Sequence, residues 1–125
     1  MWTDLARLGA TSDWKNPKLG RYMTADVLSS WSTTLAQNKR QGLVLRGATK
    51  DAPRVVSVSP AEQPTRVEIA DCVDDGDWLQ YVAATGKPAN DTPGGRHRSE
   101  AVVTYDTGWQ RWLVSQQMIG EVGSC

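Results

Sequence analysis

The stretch RSEAVVTYDTGWQRWLVSQQMI, residues 98–119, decides the fold. Its first arm alternates Ala101, Val103 and Tyr105 with Glu100, Val102 and Thr104, the two-residue period of a half-buried strand. The return arm reads as Trp112, Val114 and Met118 on one face, with Leu113 and Ile119 on the other. Between the arms, Asp106-Thr107-Gly108 predicts a tight hairpin, because Gly108 can take positive φ at no steric cost. The hairpin is expected at the centre of a sheet against which the preceding segments pack.

Upstream, the period lengthens. Trp2, Leu5, Ala6 and Leu8 have helical spacing over residues 2–8. Asn16-Pro17 starts a turn, since a residue before proline avoids the α region, and Leu19 and Tyr22 suit a short helical piece over residues 17–22. Residues 24–41 predict the longest helix. Thr24 is a natural N-cap, Asp26 lies in the first turn, and Val27, Leu28, Trp31 and Leu35 form one apolar stripe. Lys39 and Arg40 fall in the last turn and Gly42 can close it. Ser29, Ser30, Ser32, Thr33 and Thr34 are mediocre helix formers, so tertiary packing has to hold this helix.

After Leu43 the period is that of strands, over residues 43–48, 54–59 and 65–73. Residues 78–84 read either as a strand or as a helical turn, and residues 86–95 are a polar loop rich in glycine and proline. Helices first and strands afterwards predict an α+β fold with an antiparallel sheet, in one domain over residues 1–125.

A chain of 125 residues can bury a real core. Fourteen basic residues balance fourteen acidic ones, which argues against a nucleic-acid partner, since such a protein shows a basic excess or stripe. No apolar run approaches the ~20 residues of a membrane helix. Residues 1–7 do not read as a signal peptide, so membrane contact is expected only through a removed or lipidated leader outside these residues. There is no Phe, and six Trp and three Tyr supply all the aromatic bulk.

The candidate chemistry is sparse. Asp71, Asp74, Asp75 and Asp77 surround Gly76, but Val73 falls where a calcium loop needs an oxygen and no glutamate closes the run, so a solvated turn is expected and no metal. His97 lies between Arg96 and Arg98, whose like charge is expected to lower its pKa, and a surface strand-end role is expected rather than a general base. Lys87 precedes Pro88 and makes no phosphate loop. Trp31, Trp78, Trp109 and Trp112 with Tyr22, Tyr81 and Tyr105 suit a core or an apolar pocket, which look alike in sequence. No catalytic set and no cofactor site is expected. Cys72 and Cys125 are the two cysteines. A bond between them ties down a terminus that otherwise frays; the other reading is two unrelated thiols, one buried and one in a loose tail.

These residues carry a resemblance. Asp71-Cys72-Val73-Asp74, then Trp78 and Tyr81, Gly86, Asp91, Pro93-Gly94-Gly95-Arg96-His97, Gly108-Trp109, Trp112, Val114 and Gly123-Ser124-Cys125, with Asn16-Pro17, Leu19 and Tyr22 ahead of them, resemble small secreted proteins and lipoproteins of high-GC Gram-positive bacteria in the NTF2-like, or cystatin-like cone, superfamily. The resemblance implies three N-terminal helices over a strongly curved antiparallel sheet, export to the outer face of the cell membrane, and a Cys72–Cys125 disulfide. Folds of this type host unrelated activities, so the fold alone does not settle the function. Related enzymes such as ketosteroid isomerase and scytalone dehydratase hold a carboxylate inside the cone. The counterpart here is Asp71, with Tyr22 or Tyr105 as donor and Trp31, Trp78, Tyr81 and Trp112 as pocket walls; the plainer role for Asp71 is to cap a turn beside Cys72. The expected function is therefore a non-catalytic extracytoplasmic module with a protein partner, as monomer or homodimer. A small-molecule binder or isomerase-like enzyme, and a subunit resembling VirB8-type conjugation proteins, are the alternatives.

Overall fold

The computed structural model describes residues 1–90 and 92–125; Asp91, part of the family resemblance, lies outside the described residues. Helix α1 (Trp2–Gly9) is followed by a single 3₁₀ turn (Pro17–Gly20) and helix α2 (Ala25–Arg40). Six strands follow: β1 (Leu43–Arg46), β2 (Arg54–Ser59), β3 (Arg66–Asp74), β4 (Leu79–Val82), β5 (Arg96–Asp106) and β6 (Arg111–Val122). The molecule is thus α+β, with two α-helices and one 3₁₀ turn among the described residues in place of three helices. Among the described residues no helix is long and apolar enough to cross a membrane.

The apolar stripes form one core. Leu5 and Leu8 of α1, Leu19 of the 3₁₀ turn, Met23 just before α2, Val27 and Leu35 of α2, and Leu45 of β1 are buried together. Trp2, Leu28, Trp31, Trp78 and Val114 pack around them. Asp4 of α1 is also buried, its carboxylate bonded by Arg7 at 3.0 Å and Arg21 at 2.9 Å, which fastens α1 to the segment after the 3₁₀ turn. Thr24 occupies the N-cap of α2 with an extended backbone but makes no side-chain cap bond.

The strands divide into two antiparallel sheets. β2-β3-β5-β6 form the larger, and β1 and β4 form a separate two-stranded ribbon, so residues 78–84 contribute a strand. The long hairpin is β5–β6, but only β5 is interior; β6 lies at the sheet's side. There the chain entering α2 joins it, Val114 donating to the Tyr22 carbonyl (2.7 Å) and accepting from the Thr24 amide (2.9 Å).

Two local details depart from the alternation in the sequence. The Asp106 carboxylate accepts the Trp109 amide (2.8 Å), widening the turn to residues 107–110, and the left-handed residue is Gln110 (φ 52°), not Gly108. Further on, Val103 pairs with Val114 but Val102 with Gln116. Ser115 is therefore the extra residue of a bulge, and the bulge inverts the phase of the residues after it as far as Ile119, where a second register shift follows. Val114 packs on the core, whereas Met118, expected on the same face, is 63% exposed.

After β6 the chain turns at Gly123 (φ 86°), whose amide bonds the Arg96 carbonyl (2.8 Å), and Ser124 Oγ accepts the Arg98 amide (2.8 Å). The tail thereby crosses β5 and reaches β3, where Cys125 is disulfide-bonded to Cys72 with a Cα–Cα distance of 5.9 Å. The cysteine pair is oxidised, not two free thiols.

Candidate functional site

The larger sheet has one face covered and one open. Trp31 Nε1 of α2 donates to Gln117 Oε1 of β6 (2.9 Å), so Gln117 faces the helix and its neighbours Gln116 and Met118 face away. The register carries that outward face across the sheet through Val102 and Glu100 on β5 to Glu68 and Ala70 on β3. These side chains, with Arg54 and Val56 of β2 and with Arg66 and Arg98, line a basin of about 530 Å³. Its floor mixes Val102 and Ala70 with Glu100 and Glu68, and Val56 and Met118 beside them are more than half exposed. Both glutamates are paired, Glu68 with Arg66 and Glu100 with Arg98 at 2.7 Å, and Arg54 has no ion-pair partner among the described residues. Beside the basin β2 is exposed along its whole length, with Val55, Val56 and Val58 on an outermost strand.

The aromatic residues singled out in the sequence separate into four places. Trp31 and Trp78 meet with ring centroids 6.3 Å apart, and the third member of their cluster is Trp2, at 5.7 and 6.3 Å, not Trp112. Trp112 instead packs on Tyr105 (5.5 Å) near the hairpin turn, where both are more than a third exposed, beside Trp109 at 70%. Tyr22 lies exposed under the Arg21 guanidinium, and Tyr81 is half-buried under that of Arg46. Asp71 joins none of them. Its carboxylate accepts the Ala52 amide (2.8 Å) and anchors the connection between β1 and β2. Asp71 pairs with Ser99, six residues along β5 from Tyr105, or roughly 20 Å of strand. The structure therefore does not assemble these residues into one pocket or an acid–donor pair.

The other acids of the cluster are also engaged one by one. Asp74 accepts the Gly76 amide, Asp75 accepts the Gly95 amide at 2.7 Å, and Asp77 pairs with Lys50 at 2.6 Å. The remaining oxygen of Asp75 lies 3.1 Å from His97 Nε2. On its other side His97 Nδ1 is 2.8 Å from the Gly120 carbonyl, so one ring links β5, β6 and the turn after β3. The sequence points to a lowered His97 pKa, but the structure raises it. The bond to the Gly120 carbonyl is the largest cause, opposed by partial burial and reinforced by Asp75. Arg96 and Arg98, adjacent in sequence, leave a strand on the opposite face and do not crowd the ring.

A group whose folded pKa is raised contributes stability that is full below its unfolded value and fades as pH rises through the folded one. His97→Gln is therefore expected to cost more stability at about pH 5.5 than at about pH 8.5, either side of the ordinary histidine value. Urea midpoints at the two pH values measure this; an equal loss at both refutes it.

No protein-family model and no curated protein matches this chain. Among solved structures it is similar to the intermembrane space region of the chloroplast protein ARC6. The TM-score is 0.65 at 17% identity, covering 95% of this chain and 88% of that one. The likeness is one of fold: helices packed on antiparallel sheets.

Proposed function

We infer that this chain is an extracytoplasmic, non-catalytic interaction module of the NTF2-like type, which docks a protein partner on the open face of its larger sheet. The observation that carries this reading is the basin on that face. Apolar side chains set among paired charges on an open sheet face suit a protein interface of mixed character. The Cys72–Cys125 disulfide suits an oxidising compartment outside the cytoplasm, and the resemblance to secreted proteins of high-GC Gram-positive bacteria agrees with it. The similar ARC6 region is itself from an intermembrane space. The isomerase-like alternative has less support, because Asp71 is bonded to the Ala52 amide while Tyr22 and Tyr105 lie elsewhere.

The test is site-directed photocrosslinking in the cell envelope of the source organism. A benzophenone side chain at Met118 should give a discrete adduct, and the same probe at the exposed Gln37 of α2 should give none. Val56→Asp should abolish the Met118 adduct while leaving the fold intact by circular dichroism. Adducts independent of position, or from Gln37 alone, remove the sheet face as the docking surface. A partner identified as a secretion-channel subunit narrows the reading to a VirB8-like role.

A further inference from the structure

The outer edges of the strands are not treated alike. At β6 the chain entering α2 is bonded to Val114 through Tyr22 and Thr24. In the ribbon, β4 is bonded on its outer side, the Val82 amide to the Lys87 carbonyl and the Gln80 carbonyl to the Ala89 amide. β2 has no such cover. Beyond its pairing with β3 and the turn that follows it, none of residues 54–59 has a backbone hydrogen bond among the described residues. An outermost strand with a free row of amides and carbonyls is a template for a further strand.

Folded proteins blunt such edges with charges, prolines and bulges. β2 has the last two, with Pro53 and Pro60 near its ends and Val56 as the extra residue of a bulge against β3. These confine an added strand to the six residues of β2 without covering its edge. Within the strand Val55, Val56 and Val58 are exposed, and no charge follows Arg54. Arg54 has no ion-pair partner among the described residues, whereas Arg66 and Arg98 around the same basin are paired. An incoming strand is therefore best matched when it brings an acid. A second copy of β2 brings none, because RVVSVS contains no acid, so two such edges paired on each other leave both arginines unmatched.

We propose that the free edge of β2 accepts an antiparallel strand from the protein partner, an extended segment with an acidic side chain opposite Arg54. Backbone hydrogen bonds to the edge hold the segment, the three valines give it apolar contact, and Arg54 sets its direction and register. This rests on the open-face reading above and names the manner in which the partner engages it.

The experiment uses the disulfide-intact protein labelled with nitrogen-15 and capped hexapeptides of alternating valine and threonine. One ends in glutamate, one in lysine, and a third repeats the glutamate sequence with every backbone nitrogen methylated. The glutamate peptide should shift the amide resonances of residues 55–59 in a saturable manner and slow their exchange with solvent. The lysine peptide should bind about twofold to fivefold more weakly, the scale of an exposed ion pair, and Arg54→Ala should remove that difference. The methylated peptide, which cannot donate to the edge, should not bind. Equal binding by the methylated peptide, a preference that survives Arg54→Ala, shifts only outside β2, or no shift with any peptide each overturns the proposal. So does a peptide-free dimer whose β2 amides are already protected, which makes a second copy the occupant. The two readings fail separately. A Met118 adduct without a peptide response at β2 keeps the docking face and removes strand addition. A peptide response at β2 without a Met118 adduct keeps the edge as a strand acceptor and removes the basin as the contact.

Discussion

Gly47→Ala is expected to destabilise the protein by about 3 kcal/mol or more, although the site is on the surface. Gly47 follows β1 with φ +92°, and a Cβ placed there would lie 1.8 Å from the Asp77 carbonyl oxygen and 2.9 Å from its carbon. The obstacle is backbone, which cannot rotate aside as a side chain can. The chain would have to separate the exit of β1 from the entrance of β4, and so part the ribbon that Leu45 contributes to the core. Gly42 supplies the control. It also has positive φ, +69°, but nothing lies within 4 Å of its Cβ position. Gly42→Ala should therefore cost only the conformational part, about 1 kcal/mol. Urea midpoints of the two variants separate the clash from the dihedral. A Gly47→Ala loss equal to that of Gly42→Ala would show that the ribbon accommodates the methyl group.

Removing the cross-link with Cys72→Ser and Cys125→Ser together is the second large effect. The bridge spans a sequence separation of 53, for which the loop-entropy relation gives about 4 kcal/mol, and realised values for native bridges run about 2–5 kcal/mol. The structure adds a local consequence. Ser124 bonds the Arg98 amide and Gly123 the Arg96 carbonyl only while the tail lies across β5. Freed from Cys72, the tail frays, and the Gly120 carbonyl that holds His97 belongs to the same end of β6. Amide exchange should therefore rise first at Arg98 and Gly123, before the centre of β5. Unchanged thermal unfolding after reduction would mean that the backbone contacts of the tail suffice without the sulfur link.

How much of this was legible beforehand follows from the range of each determinant. β2 and α2 lie where Arg54–Ser59 and the Val27–Leu35 stripe place them, because period and end signals are local. The bulge at Ser115 is not local. Residues 112–119 contain no glycine or proline ahead of Gly120 to announce it, and the extra residue is defined only against β5. That one residue puts Met118 on the open face, and so bears directly on the proposed docking surface. The burial of Asn38 was not legible either. On a serine- and threonine-rich helix it reads as solvated, and only the approach of β4 buries it. The aromatic residues were misgrouped for a related reason: every tryptophan scores as core, but Trp2 is brought to Trp31 and Trp78 by helix packing while Trp112 is carried outward by its strand.

Sequence by itself determined that this chain is helical at its start and β-rich thereafter, and that its two cysteines are suited to pairing. Those properties depend on residues a few positions apart or on their number. Tertiary structure alone decided which strand is interior, which face of the sheet is open, and what surrounds His97 and Asn38. Each depends on strand register and on contacts between residues distant in the chain, and a one-residue change of register exchanges the two faces of a strand.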